Sequence, residues 1–399
     1  MDQPGEKTIH PNPAGMKVLV IHCAYGHSGG EDSVVREEME LLRNQGVEVQ
    51  LLGFDNNRHK MRDLLLLPFN FFSYSRVRRA CRRFKPDLAH VHNTHFAGSG
   101  SVFAALKKSN LPFVATLHNY RLLCPSAILY NNGQLFLDSV NSAFPWKAIR
   151  EKVYRNSMLL TAWLAIGNKI NRAMGLYTLP AKYIVLTSFA KNIFNRSSVS
   201  IPDEKIVVKP NFVTDRGSKP ATRNSDFLFI GRLTEDKGIP VLLEAFAGSP
   251  HRVRIAGDGP LRPMVEKYAK QHANIEYLGH VTPGVAGELL STASALVFPS
   301  NWYEGMPMTI IEAFAAGCPV IASDLGAMHA MITDGVNGKH FNPGEAASLS
   351  RALDQWSAMD VHTQSIYGKE ARAIYEKLYS PEENARQLMA IYSDTLHPD

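Results

Sequence analysis

The chain has 399 residues, 45% of them apolar and 20% charged. These are globular proportions with material for two or three domains, and they exclude a lone small module, a collagen-like chain and a wholly disordered one. Forty-three basic residues against 37 acidic ones leave a formal charge of +6, a surplus that calls for an anionic partner: nucleic acid, anionic lipid or a phosphorylated substrate.

Residues 1–15 are polar and proline-containing, with no hydrophobic run of the kind a secretory signal needs, and are expected to be disordered. From residue 16 strands and helices alternate. Lys17–His22 is a β-branched apolar run, a glycine-bearing loop follows, Ser33–Asn44 has helical spacing, and Val47–Leu52 is the next strand. Between Lys60 and Lys85 eight basic residues face one acid, Asp63, and are interleaved with Leu64–Leu67, Phe69, Phe71, Phe72 and Tyr74. That mixture resembles a membrane-surface segment, and a core helix followed by a solvated basic face explains it equally well. Further strands are expected at Leu88–His92, Phe113–His118 and Tyr183–Thr187, so residues 16–208 form one Rossmann-like domain with a parallel sheet. The nearly apolar run Met158–Gly167 is about half of the roughly 20 residues that a spanning helix requires.

A breaker-rich linker occupies residues 209–224. The alternation then restarts with short strands at Asp226–Ile230, Arg252–Ala256, Asn274–Leu278, Ala295–Pro299 and Pro319–Ser323, a second doubly wound sheet over residues 225–375. The remainder, 376–399, is helical in pattern. The four cysteines, Cys23, Cys81, Cys124 and Cys318, lie far apart with no CxxC pair, which suits a reducing compartment. No histidines show metal-ligand spacing, and Asp-x-Asp is absent, so no metal and no cofactor are expected.

Two doubly wound domains leave a cleft between them, and ligands bind beyond the carboxyl ends of parallel strands. In the second domain a buried strand runs into a loop with Glu304, then Gly305, Met306 and Pro307, and a helix follows with Met308, Thr309 and Glu312. Proline suits a first helical turn, and the amides there form an anion site aided by the helix dipole. Glu304 is expected to face a ligand hydroxyl. Glu312 is expected to accept two ribose hydroxyls, the alternative being a helix-surface carboxylate. Arg232 and Lys237 follow the first strand of this domain and can bind a diphosphate. In the first domain Gly29 and Gly30 let backbone approach a phosphate, while His118 ends a strand and points at the cleft or is a satisfied half-buried imidazole.

Glu304 and Glu312, eight apart and followed by Gly317-Cys318-Pro319-Val320-Ile321, resemble the E-x7-E motif of the retaining GT-B glycosyltransferases of family 4. The resemblance extends to Gly231-Arg232-Leu233 with Lys237-Gly238, to Ala256-Gly257-Asp258-Gly259-Pro260, to Pro210-Asn211-Phe212-Val213 and to Ser323-Asp324-Leu325-Gly326. It implies a GT-B fold, with the C-terminal helix packing back on the first domain, and a nucleotide-diphospho-sugar donor. It also implies donor contacts at Asn211, Gly231 and Gly257 and a catalytic group of Glu304, His118, Arg232 and Lys237. Retention would follow a same-face route, without a covalent intermediate and without a metal. His92, Asn93, His95 and Tyr120 are read as the acceptor side.

The run from His118 to Pro125 resembles transferases that build exopolysaccharide or lipopolysaccharide, which implies a saccharide or lipid-linked acceptor. The expected location is cytoplasmic, docked on the inner face of the cytoplasmic membrane if Lys60–Lys85 binds anionic lipid. A nucleotide-sugar epimerase and a non-catalytic nucleotide-sugar-binding subunit are the alternatives. Nucleic acid ranks last because no DNA- or RNA-binding motif is present.

Overall fold

A computed structural model describes residues 15–24, 30–56, 58–215 and 223–398. Six parallel strands make the first sheet: β1 (Lys17–Ala24), β2 (Glu48–Asp55), β3 (Leu88–Val91), β4 (Phe113–Leu117), β7 (Lys182–Val185) and β8 (Ile206–Val208), in the order β2-β1-β3-β4-β7-β8. A two-residue hairpin, β5 (Tyr130–Asn131) and β6 (Gln134–Leu135), stands apart from it. Helices α1 (Gly30–Asn44), α2 (Lys60–Leu65), α3 (Phe71–Phe84), α4 (Ser101–Lys108), α5 (Trp146–Arg150), α6 (Met158–Ala173) and α7 (Ser188–Asn195) connect these strands.

The second sheet repeats the plan. Strands β9 (Phe227–Ile230), β10 (Val253–Ala256), β11 (Ile275–Gly279), β12 (Ala295–Phe298), β13 (Val320–Ser323) and β14 (Gly338–Phe341) pair in the order β11-β10-β9-β12-β13-β14, all parallel. Helices α8 (Ile239–Ala247), α9 (Arg262–Gln271), α10 (Pro283–Thr292), α11 (Met308–Ala315), α12 (Gly326–Met331), α13 (Ala346–Ser357) and α14 (Val361–Leu378) cover it, and α15 (Pro381–Leu396) ends the chain. The architecture is two α/β doubly wound domains facing each other, the GT-B arrangement. Strand order reverses between β1 and β3 in one sheet and between β9 and β12 in the other, and a ligand crevice belongs at such points.

β8, β14 and the β5–β6 hairpin have no counterpart in the sequence pattern, because runs of two to four residues such as Gly-Lys-His-Phe are too short and too polar to show a period. The described start of the interdomain connection is packed into the protein. Lys209, Asn211, Phe212 and Val213 are buried. The Pro210 carbonyl accepts from Asn384 Nδ2 at 2.7 Å, and the Val213 carbonyl accepts from the Tyr375 hydroxyl at 2.9 Å. Helices α14 and α15 therefore clamp the crossing, while 216–222 lie outside the described residues, as do 1–14 at the N-terminus.

Helix α15 starts with three concordant signals: the Ser380 side chain caps it, Pro381 occupies the first turn, and Glu382 and Glu383 face the positive end of the dipole. Its Leu388 and Tyr392 are fully buried against Val18, Val20 and Ile184 of the first sheet. This C-terminal helix thus returns to the first domain after the chain has completed the second.

Candidate active site in the interdomain cleft

The two central strands of the second sheet deliver its charged groups. Lys237 lies in the loop after β9 and Glu304 in the loop after β12, and Lys237 Nζ meets Glu304 Oε1 at 2.6 Å. The same oxygen accepts from Ser300 Oγ at 2.7 Å and Trp302 Nε1 at 2.9 Å, and Glu304 is 5% exposed. One oxygen of Glu304 is therefore the acceptor of three donors within its own domain. Lys237 also sits 5.6 Å from the centre of the Trp302 ring.

Glycines let these loops close. At Gly238, φ is +73°, and a Cβ would collide with the Pro299 carbonyl. Gly257 (φ +147°) lies against the Gly231 carbonyl in the same way, joining the ends of β9 and β10. Across the cleft, a side chain at Gly305 would strike the His118 carbonyl, so this glycine marks where the second domain touches the first. Tyr303, beside it, packs on Phe189 of α7 with ring centres 4.7 Å apart.

Helix α11 begins at Met308, so Pro307 is its extended N-cap (φ −75°, ψ 104°) and not the first helical residue, a shift of one position. Thr309 is half-buried in its first turn. Asn211 N lies 3.2 Å from Met306 Sδ and Asn211 Nδ2 lies 3.5 Å from Met308 Sδ, which ties the interdomain crossing to this helix start. A groove between the domains is lined by Gly30 and Val34 of α1, by Val213, by Gly287 of α10, and by Met308 and Glu312 of α11. Glu312 is thus on the cleft wall and partly exposed. A Cβ at Gly30 would meet nothing within 4 Å, so close packing does not explain that glycine. Gly29 lies outside the described residues. Arg232, whose side chain is 69% exposed, stands 4.0 Å from Asp236, and neither Arg232, Lys237 nor Glu304 lines this groove.

The first domain contributes a buried histidine chain. His92 Nδ1 and His118 Nε2 are 3.1 Å apart, His92 Nε2 lies 3.1 Å from Glu38 Oε1, and Lys209 Nζ donates to Glu38 Oε2 at 3.0 Å. His90 Nδ1, 3.2 Å from Glu38 Oε1, also meets the Tyr392 hydroxyl at 2.7 Å, and its Nε2 meets Thr116 Oγ1 at 2.7 Å. Burial pushes the Glu38 carboxyl up, but Lys209, His90 and His92 more than offset it and hold it well below the usual carboxylate range. Burial and then His90 bring His92 down to about 4, and burial with His92 holds His118 well below the usual imidazole range. Glu38 thus accepts from Lys209 through Oε2, and His92 and His118 share one hydrogen bond between Nδ1 and Nε2.

His92, Asn93, His95 and His118 line one cavity in the first domain together with Arg121, Asn168 and Asn171. Tyr120 is placed elsewhere: it is 2% exposed in the core, stacked on Phe194 at 6.0 Å, and so is not part of that wall. Glu38, His90, Lys209 and Arg121 were missed by the sequence reading. The signal for Glu38 was available, because it falls on the stripe of Val34, Val35, Leu41 and Leu42 where the helix buries its side chains. Glu38, His90 and His92 also place three candidate ligand atoms within 4.8 Å, as do the surface residues Asp324, His329 and His340, groupings that sequence spacing does not reveal.

The Glycosyltransferase Family 4 model matches residues 28–216, and the Glycosyl transferases group 1 model matches residues 214–374. Together the two models span residues 28–374, and the chain belongs to the glycosyltransferases. It is 24% identical to an uncharacterized glycosyltransferase of Methanocaldococcus jannaschii over 77% of this chain and 75% of that one. It is 27% identical to the alpha-monoglucosyldiacylglycerol synthase of Acholeplasma laidlawii over 67% of this chain and 66% of the other. Among solved structures, sucrose-phosphate synthase from Thermosynechococcus elongatus superposes with a TM-score of 0.72 at 18% identity, covering 96% of this glycosyltransferase and 100% of its own chain. Anabaena HepE in complex with UDP and glucose gives 0.65 at 17%, covering 95% and 100%. At such identities the structures speak to the fold.

Proposed function

We propose that this glycosyltransferase moves a sugar from a nucleotide-diphospho-sugar to a hydroxyl of a saccharide or lipid-linked saccharide, with retention at the anomeric carbon, in cell-surface polysaccharide synthesis. The observation that carries the reading is the Lys237–Glu304 pair. It joins the loops on either side of the second sheet's switch point, next to the place where Gly305 meets His118 of the other domain. Glu304 aims the Lys237 ammonium. Lys237 and Arg232 then stabilise the charge that builds on the departing diphosphate, assisted by the amides of Met308 and Thr309 at the start of α11. Glu312, on the groove wall, takes the ribose hydroxyls, with Gly29, Gly30, Asn211, Gly231, Gly257 and Met306 shaping the donor site. His118 contacts the transferred sugar.

Retention follows a same-face route in which the leaving phosphate oxygen deprotonates the acceptor. No residue is assigned as a covalent nucleophile, and the cations and amides do the electrostatic work without a metal. The lipid-linked acceptor is supported by the Acholeplasma relative, whose name specifies a diacylglycerol product, and by the surface around α2 and α3. There Met61, Leu65, Phe71 and Phe72 are exposed beside Lys60, Arg79, Arg82 and Arg83. This surface would rest on anionic lipid at the cytoplasmic membrane face. Part of the basic cluster is engaged internally: Arg62 pairs with Asp63, Arg76 bonds the Gly53 carbonyl, and Arg78 bonds the Lys108 carbonyl. Among the described residues no helix is long and apolar enough to cross a membrane.

A thermal-shift screen of nucleotide sugars, each bound in excess, identifies the donor by the rise in unfolding midpoint. With that donor and a chelator present, Glu304→Gln and Lys237→Met are expected to slow transfer by about 100-fold or more, the scale of losing one charge-stabilising group. Full activity in both variants overturns the assignment, and conversion of the donor without an acceptor would favour an epimerase.

A further inference from the structure

The cavity that contains His92 and His118 has a feature which sugar recognition does not use. Its polar wall includes Asn93, His95, Asn119, Arg121, Asn168 and Asn171, and among the described residues no aspartate or glutamate lines it. Arg121 is pinned by its main chain, the N–H donating to Asn119 Oδ1 at 3.1 Å and the carbonyl accepting from Asn168 Nδ2 at 3.0 Å. Its guanidinium Nε and Nη1 are nevertheless buried with no hydrogen-bond partner among the described residues. Arg121 as a whole is partly exposed, but donors buried without a partner are costly. His95 in the same wall is held well below the ordinary imidazole range, by burial and then by Arg121 and Arg155. It is therefore a neutral neighbour and does not add to the positive charge.

The cavity also has an apolar side, which adjoins exposed apolar surface. Leu67, Leu164 and Gly167 line it. Helix α6 lies against the end of α2, with Trp163 Nε1 donating to the Leu64 carbonyl at 2.6 Å and Gly167 packed on Leu67. The two helices expose Met61, Leu65, Met158, Leu159, Ile166 and Ile170, with Leu159 at 83%. A ligand that satisfies both halves carries an oxyanion on an apolar chain.

We infer that Arg121 is the clamp for a phosphoryl group that links the acceptor to its lipid, held by charge-assisted hydrogen bonds from the guanidinium. The inference rests on the acceptor reading above, and it names the acceptor as a lipid phosphate rather than a neutral glycolipid or a free sugar. The unpaired charge is then a binding device kept at the expense of ligand-free stability.

The test uses the full chain and titrates farnesyl phosphate below its micelle onset, inorganic phosphate, farnesol and UDP against wild type, Arg121→Gln and Arg121→Lys. Farnesyl phosphate is expected to bind wild type, to lose at least tenfold in affinity with Arg121→Gln and several-fold with Arg121→Lys, and to bind better than inorganic phosphate or farnesol. Arg121→Gln should raise the unfolding midpoint of the ligand-free protein, and UDP affinity should stay within twofold in both variants. Equal binding of inorganic and farnesyl phosphate overturns the lipid source. An Arg121→Gln affinity within twofold of wild type, or no binding of farnesyl phosphate to wild type, overturns the site. Should the glutamine variant not fold, the lysine variant decides by the same criterion. Arg121-dependent binding in a protein that turns over no nucleotide sugar would uphold the phosphoryl site and refute the transfer reading, so the two can fail separately.

Discussion

Two lysine–glutamate pairs lie away from bulk water in this molecule, one in each domain, and they are built for different ends. Lys209 and Glu38 are 3.0 Å apart, with side chains 3% and 4% exposed, and Glu38 is further engaged by His90 and His92. Lys237 and Glu304 are closer, at 2.6 Å, but sit at the end of loops, with side chains 15% and 7% exposed. The first pair ties α1 to the interdomain crossing, and every partner it has is internal. The second has one accessible member, the lysine, which an incoming diphosphate can reach. Burial with internal partners marks a joint, whereas the same chemistry at a strand end with partial access marks a site.

Removing Glu38 is the largest break in that comparison. Glu38→Ala leaves Lys209 charged and buried, and the expected loss is about 3–5 kcal/mol. Glu304→Ala leaves Lys237 able to turn toward water, and about 1–2 kcal/mol is expected at that less buried pair. Urea denaturation of both variants measures the difference. Equal losses would show that the two pairs do the same work. The double variant Glu38→Leu/Lys209→Met sharpens the contrast, because replacing both charges with apolar groups should recover most of what the single change loses.

Acidification probes the same joint more gently. His92 is held at about 4 in the folded protein, against roughly 6.5 in an unfolded chain. Between those values the unfolded state binds the extra proton, so stability is full above about pH 6.5 and falls as pH drops toward 4, by up to about 1.4 kcal/mol per pH unit for one such histidine. His118 and His95, both also lowered, add in the same direction. The unfolding midpoint recorded from pH 7.5 to 5 should decline, and His92→Asn should make the decline shallower. A flat profile in wild type would contradict the buried, neutral assignment of these rings.

The second domain was far more legible than the first, for a physical reason. Its site residues follow short β-runs at regular spacing: Arg232, Lys237 and Glu304 lie in the loops that leave the strand ends, where parallel sheets place ligands, and Glu312 in the helix that follows. What the sequence could not convey was that Lys237 and Ser300 converge on one oxygen of Glu304, since that depends on how two loops fold back on each other. In the first domain the decisive contacts span large separations: Glu38 with Lys209, His90 with Tyr392, and Arg121 beside Asn168. Glu38 was detectable as a carboxylate inside an apolar stripe, and His90 as a histidine within a buried strand. Arg121 left no mark of its own. Its unpaired guanidinium emerges only when Asn119 and Asn168 have taken its main-chain groups. Tyr120 next to it shows the converse, an aromatic read as a site residue that is spent on packing against Phe194.

The smallest expected effect concerns the far end of the buried joint. The Tyr392 hydroxyl on α15 meets His90 Nδ1 at 2.7 Å, and that nitrogen also lies 3.2 Å from Glu38 Oε1. Tyr392→Phe keeps the ring, which is fully buried on the first sheet, and removes one hydrogen bond whose partner has a second acceptor within reach. Because the His90 ring stays held by Thr116 through Nε2, the loss should fall near the low end of the range for a single hydrogen bond, about 0.5–1 kcal/mol. The packing of α15 on β1 is preserved, so nucleotide-sugar binding by the second domain should not move. A loss above about 2 kcal/mol would mean that Tyr392 holds Glu38 and His90 in register, and that the helix returning from the second domain is part of the joint and not just a cover over it.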